Sequence, residues 1–242
     1  MEGAPGCLTR GCAHGSDPEQ QAMTAPALKL WSHPYAAYGQ KAAVALYELG
    51  LPFELKLVAA ASPDDFAQFR AVLPFGKMPV LIDGERQIVE SSIIIEHLDR
   101  LAGGGRLIPA DPNAALEARL IDRIVDTYVG GAMNRIIPRK FRPAGNEDPF
   151  GDAQDEAVLA NAWDWLEERL ADGRTWGAGE TFTLADCGAA PILTYARRLI
   201  PFGDRPRLRA WHRRLMARPS FVRALEDAAP FGDLMPAPPA VD

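Results

Sequence analysis

Short apolar runs of strand length alternate with longer stretches of helical periodicity in the first part of this chain. Val44, Leu46 and Leu49 follow such a period and precede Gly50, a residue type that often ends helices. The predicted strands lie at 27–31, 53–58, 79–82 and 87–89, and the predicted helices at 40–49, 63–72 and 91–101. Strand, helix and strand imply a parallel pair with a right-handed crossover, and Asp83-Gly84 predicts a hairpin. The order βαβαββα indicates an α/β domain.

A cluster of turn-forming residues ends this region. Gly103-Gly104-Gly105, Pro109 and Asp111-Pro112 interrupt the periodicity, and such residues are typical of linkers between domains. We predict a linker over 103–112.

Every apolar stripe after the linker has helical spacing. Two stripes carry the pattern, the first at Leu116, Leu120, Ile124 and Tyr128 and the second at Leu159, Trp163, Leu166 and Leu170. An apolar segment over 184–200 and two short helices over 208–217 and 220–228 complete the pattern. We predict an all-helical second domain.

Thr183 and Asp186 have the spacing of a capping box at the start of the segment 184–200. In that arrangement the threonine accepts from the amide three residues on, and the acidic side chain accepts from the threonine amide. We interpret Asp186 as a structural cap rather than as a catalytic carboxylate.

Neither end of the chain has an apolar stripe that could join a core. We predict a disordered extension over 1–26, an α/β domain over 27–102, a helical domain over 113–230 and a tail over 231–242. Cys7, Cys12 and His14 could suggest a metal site in the extension, but they lack a fourth ligand and we expect none.

Composition excludes several classes of protein. The 242 residues contain 26 Lys and Arg against 32 Asp and Glu, a net charge of −6, which gives no general field for nucleic acid. Three cysteines cannot build a disulfide framework and favour a reducing compartment. No apolar run approaches the roughly 18–20 residues that cross a bilayer. We expect a cytoplasmic protein that binds neither nucleic acid nor membrane.

Four local strings now resemble the soluble glutathione transferase superfamily, over roughly residues 27–230. They are Phe75-Gly76-Lys77-Met78-Pro79-Val80-Leu81, Glu90-Ser91-Ser92-Ile93-Ile94, Phe182-Thr183-Leu184-Ala185-Asp186, and Trp211 with Arg218-Pro219-Ser220-Phe221. The resemblance implies a thioredoxin-like α/β domain followed by an all-α helical-bundle domain. It also implies glutathione as co-substrate, no metal, and a homodimer.

The same resemblance assigns five residues to glutathione. Pro79 would follow a cis bond that turns the backbone of Met78 toward the cysteinyl part, although methionine also fills gaps in cores. Ser91 would hold the α-carboxylate and Glu90 the ammonium of the γ-glutamyl end, unless Ser91 only caps its helix. Lys77 would meet the glycine carboxylate, or it is simply a solvated lysine.

The group that stabilises the reactive thiolate departs from the family pattern. Ala36 occupies the position where the family usually has Ser or Cys, and alanine has no donor. The candidate side-chain donors are Tyr38, Tyr35 and Ser32, in that order. Amides at the start of the first helix are an alternative, and so are packing roles for both tyrosines.

The remaining candidates favour structural roles. His33, His97 and His212 share no ligand spacing, and Cys187 beside Asp186 is expected in the core. Four basic residues would line the second-substrate pocket of the family or else form solvated helix faces, namely Arg123, Arg135, Arg139 and Lys140.

The resemblance implies a glutathione transferase in which the thiolate of glutathione attacks a small, largely apolar electrophile. Because Ala36 lacks a donor, a glutathione-binding protein without turnover is the first alternative. A scaffold subunit with the same fold is the second, since fold does not fix function.

Overall fold

Burial alternates along the first strand of the sheet, so that one face of the strand packs on the core. The computed structural model describes residues 28–58 and 62–232. Leu28, Leu30 and Ser32 are buried, whereas Lys29 between them is exposed, as expected for side chains that point to opposite faces. The strands are β1 (Leu28–Ser32), β2 (Phe53–Leu57), β3 (Val80–Asp83) and β4 (Arg86–Val89).

The four strands form one mixed sheet in the order β2-β1-β3-β4. β1 and β2 are parallel, with Leu30 opposite Leu55, and the other pairs are antiparallel. The parallel pair needs a crossover, which is α1 (Ala37–Leu49); α2 (Pro63–Val72) and α3 (Ser91–Leu101) complete the domain. The predicted βαβαββα order and the hairpin at Asp83-Gly84 are confirmed.

The second domain is helical and surrounds one fully buried helix. Its helices are α4 (Pro112–Ile124), α5 (Gly131–Arg139), α6 (Pro149–Arg169), α7 (Leu184–Ala196), α8 (Pro206–Met216) and α9 (Pro219–Ala228). Every residue of α7 is buried, which explains why its sequence is apolar all round. A thioredoxin-like domain followed by an all-helical domain is therefore the observed fold.

Several helical bounds differ from the sequence prediction: α7 ends at Ala196 rather than at residue 200, α8 spans Pro206–Met216 rather than 208–217, and α9 begins at Pro219 rather than at residue 220. α1 begins at Ala37 rather than at residue 40, because Ala36 precedes the helix in extended conformation without any side-chain cap. α4 continues through a π-helical segment (Val125–Gly130) directly into α5. The spacing of apolar residues does not distinguish such a π-helical turn from an ordinary α-helical one.

The stripe Leu116, Leu120, Ile124 and Tyr128 does not face the core as a helical stripe normally would. Leu116 is 66% exposed and Tyr128 50% exposed. The buried face of α4 instead carries small and aliphatic residues, at Ala115, Ala118 and Ile121. Close packing against α7 selects this face, so the larger leucines point outward.

Several predictions fall on residues beyond those described. The extension 1–26, the reading of Cys7, Cys12 and His14, and residues 233–242 of the tail lie outside the described ranges. The domain boundaries stay predictions. Within residues 28–58 and 62–232, no helix is both long and apolar enough to span a membrane.

Candidate functional site

The junction of β4 and α3 presents a helix start with an unusual backbone. Glu90 has φ +68°, a region that residues other than glycine seldom adopt and that is often associated with functional sites. Its side chain is exposed and makes no capping hydrogen bond to α3. The helix start therefore keeps unpaired amides, and its positive end favours an anion.

Ser91 is the first residue of α3 and is only 5% exposed. No hydrogen-bond partner for its hydroxyl lies among the residues that the structure describes. Its Oγ is not among the fully buried polar atoms that lack a partner, so the hydroxyl is open to solvent or to a ligand. Ser91 and the free amides of α3 are therefore suited to receive a carboxylate, with the acidic Glu90 beside them for a cation.

The segment before β3 lies between this junction and the start of α1. Met78-Pro79 is a cis peptide, as the resemblance implied. Met78 is half-buried, and its Sδ accepts a hydrogen bond from the backbone amide of His33 at 3.3 Å. Lys77 is exposed, and no ion pair joins it to any residue described. Met78 thus links the segment before β3 to the loop that leads into α1.

The start of α1 has unpaired amides of its own. Ala36 precedes the helix with no side-chain cap, and the first turn contains no acidic residue. The amides of Ala37 and Tyr38 find no acceptor within the described ranges. Ser32 is buried, with its hydroxyl donating to the carbonyl of His33 at 3.3 Å. This helix start is therefore a second position that favours negative charge.

Tyr38 points from α1 toward the helical domain. Its hydroxyl donates to the backbone carbonyl of Asp126 at 3.2 Å, and it lies so close to Gly130 that a side chain there would collide with it. Burial and the nearby Asp126 carboxylate raise the pKa of the Tyr38 phenol, while a hydrogen bond from Asn134 opposes that rise. Its role as thiolate donor stays a prediction.

Tyr35 stacks on Tyr195 of α7, with ring centroids 5.4 Å apart and planes 19° from parallel. The Tyr195 hydroxyl donates to Gln40 Oε1 at 3.0 Å. These contacts place Tyr35 between α1 and the helical domain. That position favours a packing role for Tyr35.

A buried charge cluster, which the sequence analysis did not predict, lies where α1, α3 and α4 meet. Lys41 of α1 has no exposed side-chain surface, and its Nζ lies 2.6 Å from Asp122 Oδ1 and 2.7 Å from Asp126 Oδ2. It also donates to Ser92 Oγ at 2.9 Å. Burial raises the pKa of Asp122, while Lys41 lowers it. The only available signals were a lysine in an otherwise apolar helix and two aspartates four residues apart.

Asp186 forms the predicted capping box with Thr183. Its carboxylate also accepts from the amide of Gly177 at 2.8 Å and from Trp211 Nε1 at 2.8 Å. Burial raises the pKa of Asp186 to about 6, and these hydrogen bonds oppose the rise. The predicted capping contact of Asp186 is confirmed, and so is burial of Cys187, which raises the pKa of its thiol.

The three histidines in the described part of the chain lie apart and have local partners. His97 pairs with Asp83 at 2.8 Å, and His212 is buried against Thr194 at 3.0 Å. His33 Nδ1 accepts from the amide of Tyr35 at 3.1 Å. Among the described residues no group of His, Cys, Asp or Glu has the arrangement of a metal site.

The basic residues proposed for a second-substrate pocket divide into two kinds. Arg135 and Arg139 are paired with Asp155, each at 2.7 Å. Arg123 and Lys140 are exposed. The guanidinium groups of Arg135 and Arg139 are therefore neutralised by Asp155 and do not give a substrate pocket an unpaired positive charge in this arrangement.

A separate cavity of about 590 Å³ lies between α1, β2 and α9. Tyr47, Phe53 and Arg223 contribute to its wall, whereas Met78, Glu90 and Ser91 do not. Ser32, His33 and Gly39 also line it, so the cavity adjoins the start of α1 but not the start of α3.

Comparison with known proteins gives the class to which this fold and site belong. The chain matches the family model of the glutathione S-transferase N-terminal domain over residues 30–106 and that of the C-terminal domain over residues 143–214. It is 32% identical to glutathione S-transferase 3 of Zea mays over 216 residues, covering 82% of this chain and 93% of that protein. The protein belongs to the glutathione S-transferase family.

Two further relatives have names that describe different properties. A glutathione transferase of Burkholderia graminis, crystallised with two glutathione molecules per subunit, matches with a TM-score of 0.74 and 27% identity. The match covers 82% of this chain and 87% of that one. FtsZ-localized protein A of Caulobacter vibrioides is 29% identical over 199 residues, covering 77% of this chain and 86% of that protein. Relatives of this chain therefore include proteins named for catalysis and one named for its localisation.

Proposed function

We propose that this protein is an enzyme that joins the sulfur of glutathione to a small, largely apolar electrophile. The observation that carries the proposal is the hydroxyl of the largely buried Ser91, which has no partner within the described ranges and lies at an uncapped helix start beside Glu90. A donor group and an acidic group side by side suit a carboxylate and an ammonium on one carbon. The γ-glutamyl end of glutathione has that pair of charges.

The proposed contacts run along one side of the first domain. Ser91 and the amides of α3 hold the α-carboxylate, and Glu90 holds the ammonium. The backbone of Met78 pairs with the cysteinyl part beside Pro79, and Lys77, which is exposed, reaches the glycine carboxylate. Family membership and the placement of these residues around the β4–α3 junction support this assignment.

The proposed reaction needs the thiolate form of glutathione. The thiol loses its proton to solvent, the sulfur electron pair forms a bond to the electrophilic carbon, and the leaving group departs with the electrons of its own bond. A thiol of pKa about 8.5 is mostly protonated at neutral pH, so the protein must stabilise the anion.

Two kinds of donor are candidates for the thiolate, namely the hydroxyls of Tyr38, Tyr35 or Ser32 and the first amides of α1. The hydroxyl of Tyr38 would have to leave the carbonyl of Asp126, to which it donates at 3.2 Å. The amides of Ala37 and Tyr38 need no rearrangement, because Ala36 provides no competing side chain. We therefore favour the amides.

Tyr38→Phe tests this preference. If the amides stabilise the sulfur, the pKa of bound glutathione and the turnover at neutral pH should change by less than about 3-fold. Ala36→Ser adds the usual hydroxyl of the family and should raise turnover by up to about 10-fold. Steady-state rates with a pH titration of thiolate absorbance measure both variants. A loss of roughly 5- to 150-fold in Tyr38→Phe would assign the phenol as donor instead.

The proposed activity itself is tested by two measurements on the wild-type protein. We expect calorimetry to detect glutathione binding and 1-chloro-2,4-dinitrobenzene, a general aromatic electrophile, to be conjugated with release of chloride. Binding without conjugation would favour the alternative that Ala36 suggests, a glutathione-binding protein without turnover. Absence of both would favour the second alternative, a scaffold subunit with the same fold.

We further propose that the protein is a homodimer through the exposed faces of α3 and α4. Ile93 is 55% exposed and Leu116 66% exposed, and Leu120 lies one turn further along α4. The ion pair of Arg119 with Glu96, at 2.8 Å, joins the two faces. Exposed apolar side chains grouped on two neighbouring helix faces are typical of a protein interface.

Leu116→Glu should convert the dimer to a monomer, because a charge would be buried without a partner at the interface. Analytical ultracentrifugation measures the mass of each species. Phe150→Glu changes another exposed apolar side chain on α6 and should leave the dimer intact. A wild-type protein that sediments as a monomer would contradict the proposed interface.

A further inference from the structure

The buried charge cluster consists of Lys41, Ser92, Asp122 and Asp126. Its members come from α1, α3, α4 and the π-helical segment that follows α4. The ammonium of Lys41 lies between two carboxylates, and Ser92 Oγ donates to Asp122 Oδ2 at 2.6 Å. The cluster therefore connects the thioredoxin-like domain to the helical domain through charged hydrogen bonds.

Stability alone does not account for such a cluster. Removing charges from water is costly, and well-packed apolar residues often serve as well or better at a buried position. Here the fold also reserves space for the charges: a Cβ at Gly188 of α7 would lie 3.1 Å from Asp122 Oδ1 and 3.2 Å from Lys41 Cε. The buried charges of this cluster therefore indicate that the helices that carry them must hold a fixed orientation.

The cluster reaches both helix starts of the candidate site. Ser92 follows Ser91 directly, and its hydroxyl is held from two sides, since it accepts from Lys41 at 2.9 Å and donates to Asp122. On the other side, the carbonyl of Asp126 accepts from Tyr38 in the first turn of α1. One set of contacts thus fixes the first turn of α3 and the first turn of α1 relative to each other.

We propose that Lys41 and Ser92 are positioning residues for glutathione. They hold the first turn of α3 so that Ser91 and the neighbouring amides face the γ-glutamyl carboxylate. Through Asp126 they also fix that turn relative to the start of α1, where the sulfur would lie. This inference rests on the proposed function, and it concerns the residues behind the glutathione site rather than those that touch the ligand.

The test uses Ser92→Ala, which removes the hydroxyl and leaves the Lys41 ion pairs in place. We expect the Kd and the KM for glutathione to rise at least about 5-fold, with kcat at saturating glutathione within about 2-fold of the wild type. Ser92→Thr keeps a hydroxyl and should restore the affinity. Lys41→Met should weaken binding further, whereas Lys29→Met, which removes an exposed ion pair with Glu54, should leave it unchanged.

A double-mutant cycle separates positioning from general stability. If Ser92 acts through Ser91, the variant with both residues changed to alanine should bind glutathione about as weakly as Ser91→Ala alone. Additive losses, or an unchanged Kd in Ser92→Ala, would overturn the positioning role even if the melting temperature falls. If Lys41→Met does not fold, the Ser92→Ala variant and the double-mutant cycle test the positioning role without it. Failure of the wild-type protein to bind glutathione would overturn the proposed function as well, which distinguishes the two results.

Discussion

Ser91→Ala should weaken glutathione binding about 10-fold or more. The substitution removes one donor to a charged carboxylate, an interaction worth roughly 1.5–3 kcal/mol. Because the Ser91 hydroxyl has no partner in the described part of the chain, its loss should leave the melting temperature nearly unchanged. Calorimetric titration with glutathione, together with a thermal unfolding curve, measures both quantities.

A matched control is available at the start of another helix. Ser220 in the first turn of α9 is also buried, and its hydroxyl donates to Glu48 Oε1 at 2.5 Å. Ser220→Ala should lower stability and leave glutathione affinity unchanged, which is the opposite pattern. If Ser91→Ala lowers stability but not affinity, Ser91 is a structural residue of α3 and the assignment of the γ-glutamyl end is wrong.

Asp186→Ala should produce the largest loss of stability among these variants. The buried carboxylate accepts from the amides of Gly177 and Thr183, at 2.8 and 2.9 Å, and from Trp211 Nε1. Alanine would leave these buried donors without an acceptor, at about 1–3 kcal/mol each. We expect an unfolding free energy lower by about 3–6 kcal/mol and a melting temperature lower by roughly 10 °C or more.

Circular dichroism during heating measures the change, and turnover per folded molecule is the companion measurement. Asp172→Ala is the control, because Asp172 is an exposed carboxylate that pairs with Arg174 and surface pairs contribute little. We expect turnover per folded Asp186→Ala molecule to equal that of the wild type. Normal stability with lost turnover would reverse the interpretation and make Asp186 a catalytic residue.

The sequence predicted the elements of the first domain well because their signals are local. The bounds of α2 and α3 agree with prediction, since a proline or a hairpin defines where each begins. The predicted start of α1 was late, because Ala36 caps the helix with its backbone alone. Apolar spacing also failed to identify the buried face of α4, since close packing against α7 favours alanines over Leu116 and Leu120.

The site was predictable only where neighbouring residues carry it. Glu90 and Ser91 stand next to each other in a recognisable string, and so do Met78 and Pro79. Lys41 could not be recognised, because its partners Asp122 and Asp126 are far along the chain and meet it only through the fold. A lysine in a helix normally indicates a solvated face, and here tertiary packing reverses that expectation.

The proposed activity depends on the binding of glutathione and on the ionisation of its thiol. The most direct test is the ultraviolet absorbance of the thiolate in the wild-type complex, titrated against pH with free glutathione as reference. We expect the midpoint of the bound thiol to lie at least one unit below that of free glutathione, a difference of about 1.4 kcal/mol in favour of the thiolate. A midpoint equal to that of free glutathione would show that the protein does not stabilise the thiolate.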